Sequence, residues 1–228
     1  MNITDKITHA AERKAFETLL DSLIKKGKTQ DGSAVAQSLI DMVQKLHSDV
    51  WSAESFATLR MIAEDPDGKW AHYVQRLIRD SDPYILKTFL TNAVYEGGIR
   101  GYHAAQEAAK KYDINVPWLI LMDPTSACNM HCTGCWAAEY GHKQSLTFEE
   151  MDKVLTEAKA LGTHACLFTG GEPLMRKKDI IRLCEKHRDI AFHAFTNGTL
   201  IDDEFCKEML RVGNFFVSVS VEGFEEAN

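Results

Sequence analysis

The apolar positions of this chain change period near residue 114. Before that point they recur at helical spacing. In AERKAFETLLDSLIKKG, residues Ala15, Phe16, Leu19, Leu20, Leu23 and Ile24 fall at i, i+3 and i+4 intervals, and Gly27 follows as a stop. The same period runs through AVAQSLIDMVQKLH, ESFATLRMIAE, KWAHYVQRLIR and PYILKTFLTNAVYEGG, with Asp-Gly, Asp-Pro and Ser-Asp-Pro as breakers. The pattern predicts an all-α region over residues 1–113.

From Pro117 the texture becomes short apolar runs alternating with helical stretches, which predicts repeated βα units and a parallel sheet. WLILMD is the first expected strand. Thr147 and Glu150 form a T-x-x-E capping box that opens the helix FEEMDKVLTEAKALG, closed by Gly162. HACLFT and KKDIIRLCEKH make the second unit. IAFHAF and DDEFCKEMLRVG make the third, with Asp202 as N-cap and Gly213 as stop. FFVSVSV begins the fourth. The expected class is therefore α/β, a partial parallel (βα) barrel over residues 114–228. Four units leave open sheet edges, so a truncated chain is expected.

Composition narrows the function classes. Of 228 residues, 45% are apolar and 26% charged, an ordinary globular balance that implies a buried core. The net charge of -7 and the lack of a Lys/Arg stripe argue against a nucleic-acid surface. The charged N-terminus lacks the apolar core of a secretory signal, and no run of about 18 apolar residues is present, so cytoplasm and no membrane span are the expectations. Three of the six cysteines crowd into 128–135, which favours metal ligation over a disulfide framework.

Each expected strand is followed by an unusual polar cluster: CNMHCTGC, then GGEP, then TNGT, then Glu222-Gly223. In parallel βα folds these loops converge on one rim, where active sites form. The C-x3-C-x2-C spacing of Cys128, Cys132 and Cys135 lets three thiolates reach one iron–sulfur cluster from a single loop. Three ligands leave one iron open, as a catalytic centre requires. Gly134 permits the tight turn. In the fourth strand, Ser218, Ser220 and Glu222 alternate with Val217, Val219 and Val221, so the polar side chains share one face, expected to look into the barrel.

The motifs CNMHCTGC, GGEP and SVEG, in that order and each after a strand, resemble the radical S-adenosylmethionine superfamily over roughly 117–228. The resemblance implies a [4Fe-4S] cluster on Cys128, Cys132 and Cys135. It also implies that the open iron is chelated by the methionine part of S-adenosylmethionine, with Gly170, Gly171 and Glu172 supporting the amino group. Ser220 and Glu222 are candidate contacts to the methionine carboxylate or ribose, with Ser218 and Asn197 as further ones. The family often has an aromatic residue just before the third cysteine. This chain has Gly134 there, and Trp136 is the candidate substitute. Glu222 stands where Asp is common. The implied activity is reductive cleavage of S-adenosylmethionine to a 5′-deoxyadenosyl radical that abstracts hydrogen from an unidentified substrate. An electron donor such as ferredoxin or flavodoxin is the implied partner.

Other readings stand beside this one. The chain could be an iron–sulfur electron-transfer module, or a zinc-stapled interaction domain with His131 as fourth ligand, although His131 adjoins Cys132 awkwardly. GGEP and TNGT are also plain turn sequences. Cys166, Cys184 and Cys206 sit in apolar patterns and read as core. The nine histidines show no paired spacing and read as surface or satisfied core groups.

Overall fold

The computed structural model describes residues 3–29, 31–46, 48–137, 141, 143–221 and 223. The chain divides into two compact units, Met1–Ile99 and Arg100–Asn228.

The first unit is helical, with α1 (Ile3–Gly27), α2 (Gly32–Leu46), α3 (Ala53–Ala63), α4 (Lys69–Asp80) and α5 (Pro83–Leu90). Local chemistry sets the boundaries. Ser52 caps α3 by accepting from the Ser55 N–H, and Asp82 caps α5 ahead of Pro83 at the first helical position. Phe16, Leu20, Val50, Tyr95 and Ile99 form one apolar cluster, while Ile24, Val35 and Ile78 form another. The expected single helix over 83–98 is interrupted: from Thr91 to Gly101 the backbone is a π-helix. Glu96 is fully buried there and bonds to Arg13 and His9, and Arg13 also donates to Asn92 at 3.0 Å. Helical periodicity carries no signal for such a register change, because the apolar face persists through it.

The second unit contains α6 (Tyr102–Tyr112), β1 (Ile120–Met122), α7 (Phe148–Ala160), β2 (Ala165–Phe168), a 3-10 turn (Pro173–Arg176), α8 (Lys177–Lys186), β3 (Ala191–Thr196), α9 (Asp203–Val212) and β4 (Phe215–Val219). The strands form a parallel sheet in the order β1-β2-β3-β4, pairing Met122 with Phe168, Phe168 with Ala194, and Ala194 with Val217. The protein is thus α/β, and consecutive strands lie side by side as in an arc of a (βα) barrel. The first strand is shorter than WLILMD suggests: Trp118 lies outside it and is exposed.

The predicted punctuation holds. Thr147 and Glu150 form the capping box of α7, Asp202 caps α9, and Gly162 and Gly213 stop their helices at φ of 107° and 75°.

One face of the sheet is closed by helices. Met122, Cys166, Phe168, Phe192, Ala194 and Phe215 pack against Met151 and Leu155 of α7, Ile180 and Leu183 of α8, and Phe205 and Val212 of α9. Phe168 and Phe192 stack with centroids 5.7 Å apart. Cys166 and Cys184 are core, as expected, and burial raises both thiols far above their ordinary titration range. Cys206 is a correction: it is exposed. The buried positions of α9 are Phe205 and Val212, with Met209 packed against the core, and residue 206 is about 100° off that stripe. The opposite face stays open among the described residues, with Leu121 60% and Phe195 47% exposed.

Candidate functional site

The rim at the C-terminal strand ends is assembled by backbone hydrogen bonds between the segment after β1 and the turn after β2. Thr169 N–H donates to Met122 O, Gly171 N–H to Thr125 O, and Glu172 N–H to Ala127 O, at 3.0, 3.0 and 2.8 Å. This lateral run holds the Gly-Gly turn against the entrance to the cysteine loop. Both glycines are required by contact. A Cβ at Gly171 would lie 2.3 Å from Ala127 O, and one at Gly170 would lie 2.7 Å from Thr125 O with φ already at 105°.

Glu172 is held by the protein itself. It is 1% exposed, and its oxygens accept from Leu174 N–H at 2.9 Å, Thr196 Oγ1–H at 2.7 Å and Asn197 N–H at 2.8 Å. All three donors belong to the protein. The carboxylate caps the 3-10 turn and ties the β2 loop to the end of β3, so it braces the rim. The adjacent Gly171 and Glu172 N–H groups are also engaged.

The cysteine loop is open. Cys132 and Cys135 are exposed and Cys128 is half-buried; none is in a disulfide. Met130 N–H donates to Cys128 Sγ at 3.4 Å, and Cys135 N–H closes a turn on Cys132 O at 3.3 Å. Gly134 sits in that turn at φ 75° with nothing within 4 Å of where its Cβ would be. Among the described residues, no three His, Cys, Asp or Glu side chains are gathered closely enough to hold an ion. The three thiols share a loop, not yet a point. The donor set nevertheless suits an iron–sulfur cluster: three accessible thiols and a backbone N–H already directed at one sulfur.

Two further predicted residues flank this loop. Asn197 Nδ2 donates to Asn129 Oδ1 at 3.0 Å and lies 4.0 Å from Cys128 Sγ, while its Oδ1 accepts from Thr199. Trp136 is 56% exposed and lines a cavity of about 390 Å³ with Gly170, Gly171, Ser126 and Asp123. Ser220 lies one residue past β4, exposed, with its N–H on Thr196 O at 2.9 Å. Glu222 lies outside the described residues.

Sequence reasoning missed two groups here. Asp123 ends the first strand run and was hidden in an otherwise apolar string. His193 stands on the open face of β3, with Nε2 2.9 Å from Ser218 Oγ and its ring stacked on Phe216 at 4.2 Å. Desolvation lowers its pKa, so the ring is neutral near pH 7. The alternation HAF in a strand was the available signal, since His193 is opposite in facing to Phe192 and Ala194.

Comparison with known proteins matches the radical SAM superfamily over residues 122–227. The chain is similar to the Fe-coproporphyrin III synthase of Methanosarcina barkeri, 35% identical over 48% of this chain and 28% of that protein. It is similar to the PqqA peptide cyclase of Bradyrhizobium diazoefficiens, 30% identical over 49% of this chain and 30% of that protein. The GTP 3′,8-cyclase of Clostridium botulinum is 31% identical over 45% of this chain and 34% of its own length. The chain thus spans about a third of the length of these curated relatives. No helix among the described residues is long and apolar enough to cross a membrane. The matched residues 122–227, just under half of the chain, contain the CNMHCTGC, GGEP and SVEG motifs.

Proposed function

We propose that this chain is part of a radical SAM enzyme in which Cys128, Cys132 and Cys135 hold a [4Fe-4S] cluster and the adjoining rim cavity receives S-adenosylmethionine. The observation that carries this reading is the cavity itself. Trp136, Gly170 and Gly171, singled out from separate motifs, line one space beside the cysteine loop. Its volume of about 390 Å³ lies within the range of small-molecule sites. Held by Cys128, Cys132 and Cys135 and reduced by the donor, such a cluster would supply the electron for reductive cleavage of the S-adenosylmethionine sulfonium.

The chain's own residues bind, orient and exclude water. The Gly-Gly turn brings backbone carbonyls close to the cofactor's amino group, and Glu172 fixes that turn from below through Leu174, Thr196 and Asn197. Trp136 offers an aromatic wall for the nucleoside. Asn197 supports the cysteine loop through Asn129 and Cys128, Ser220 extends the rim at the end of β4, and Glu222 is a further candidate contact by sequence. Residues 114–228 act as the catalytic part and residues 1–113 as a helical accessory region. Reducing equivalents come from a protein donor such as ferredoxin or flavodoxin. The substrate is left open, because the three relatives' names point to a porphyrin, a peptide and a nucleotide.

Anaerobic reconstitution with iron and sulfide tests the ligand set. Wild-type chain is expected to take up iron and sulfide in cluster ratio, and Cys132→Ala to lose them. Stoichiometric zinc with no iron uptake would favour the zinc-stapled domain instead.

A further inference from the structure

The TNGT segment after β3, a plain turn by its sequence, reaches the cysteine loop through its side chains. Asn129, Asn197 and Thr199 close a ring of three hydrogen bonds. Asn129 Nδ2 donates to Thr199 Oγ1 at 2.8 Å, the Thr199 hydroxyl donates to Asn197 Oδ1 at 2.7 Å, and Asn197 Nδ2 donates to Asn129 Oδ1 at 3.0 Å. The direction of the ring is set from outside it. The Thr199 backbone N–H, which can only donate, meets Asn197 Oδ1 at 3.0 Å, so the Asn197 amide nitrogen must face the other way. On that side lie Asn129 Oδ1 and, at 4.0 Å, Cys128 Sγ.

The ring is also anchored from below. The buried Glu172 carboxylate accepts from the Asn197 N–H at 2.8 Å and from the Thr196 hydroxyl at 2.7 Å, and Thr196 Oγ1 accepts in turn from the Gly198 N–H at 3.1 Å. Asn129 and Thr199 are exposed, where a lone hydrogen bond gains little against water. A closed ring whose central member is fixed by a buried carboxylate has already lost most of the freedom that such bonds cost. The sulfur it faces belongs to the half-buried thiol of the three, which already accepts from the Met130 N–H at 3.4 Å.

We propose that Asn197 is a positioning residue for the cluster: held by the ring with Asn129 and Thr199, it fixes the Cys128 end of the loop and directs its amide N–H at the Cys128 sulfur. This rests on the cluster reading above. Ligation leaves the sulfur negatively charged, and an N–H aimed at it favours the reduced, more negative cluster over the oxidised one, so the donor raises the reduction potential. Asn129 and Thr199 act through Asn197.

The test is a redox titration of the anaerobically reconstituted full chain, followed by electron paramagnetic resonance, with iron and sulfide content measured for each variant. Asn197→Ala keeps the backbone N–H on Glu172 and removes only the amide. At a fixed potential its ratio of reduced to oxidised cluster should fall about tenfold, a midpoint about 59 mV more negative for a one-electron couple. Thr199→Val leaves the amide in place but opens the ring, and should move the ratio the same way by about threefold. Adding Thr199→Val to Asn197→Ala should change nothing further, since the ring acts through that amide. A wild-type midpoint in the iron-loaded Asn197→Ala chain, or additive shifts in the double variant, would overturn the assignment. If Asn197→Ala takes up no cluster, the Thr199→Val midpoint decides: a negative shift supports the assignment and a wild-type value overturns it. Failure of the unsubstituted chain to take up iron and sulfide would overturn the cluster reading itself, and this assignment with it.

Discussion

The two loops that meet at the rim have opposite constructions. In the turn after β2, nearly every polar group is committed to the protein: the Gly171 and Glu172 N–H groups pair with Thr125 and Ala127, and the buried Glu172 carboxylate takes three donors. In the cysteine loop, two of three thiols are exposed and Gly134 turns in open space. The first is an internally satisfied scaffold and the second leaves its thiols accessible. On the proposed reading, the exposed thiols are the groups left to bind, while the internally satisfied groups hold the geometry.

The widest separation between the loops should appear at their acidic and thiol side chains. Glu172→Ala removes a buried acceptor from Leu174, Asn197 and Thr196, and should cost about 2–4 kcal/mol in denaturant unfolding of the apo protein. Cys132→Ala should change the same stability by no more than about 0.5 kcal/mol, because the side chain is exposed. Equal costs would erase the distinction. A sharper version uses glycine. Gly171→Ala drives a methyl into the Ala127 carbonyl and should cost about 2–3 kcal/mol, whereas Gly134→Ala meets no atom and should cost about 1 kcal/mol, for the left-handed backbone alone. Both are read from the shift in unfolding midpoint.

The smallest expected effect lies below the rim, at His193. Its folded pKa is lowered by desolvation, so on acidification the unfolded chain takes up the proton first. Stability should then fall as pH drops through and below the ordinary imidazole value of 6.5, and be unaffected by this group above it. His193→Gln should flatten that acid limb in a series of unfolding curves at different pH. An unchanged limb would mean that the ring is solvated in the folded protein.

Much of this arrangement was legible in the sequence, for reasons that differ by element. Parallel strands and their helices were visible because buried strands read as short apolar runs and helix ends carry caps: Thr147 with Glu150, Asp202 and Gly213 all act as their types predict. The π-helix was not visible, because the apolar period runs through it unbroken; the contacts its Glu96 makes, to Arg13 and His9, lie more than eighty residues away in sequence. Cys206 was misplaced because an apolar pattern without a phase puts every small residue in the core. The bracing by Glu172 was hidden for a related reason. A motif gives the residue type but not where its oxygens point, and only the fold shows that three donors converge on them. Asp123 was overlooked because it sits in no motif; its position beside Gly170 exists only once β1 and β2 are in register.

The central claim is that the open loop holds a cluster whose remaining iron engages S-adenosylmethionine. Electron paramagnetic resonance of the anaerobically reconstituted, reduced full chain tests it directly, recorded with and without S-adenosylmethionine and repeated with Cys128, Cys132 and Cys135 all changed to Ala. A cluster spectrum that shifts on adding S-adenosylmethionine and vanishes in the triple variant is the predicted result. A spectrum indifferent to S-adenosylmethionine, or one that persists without the three cysteines, would contradict it.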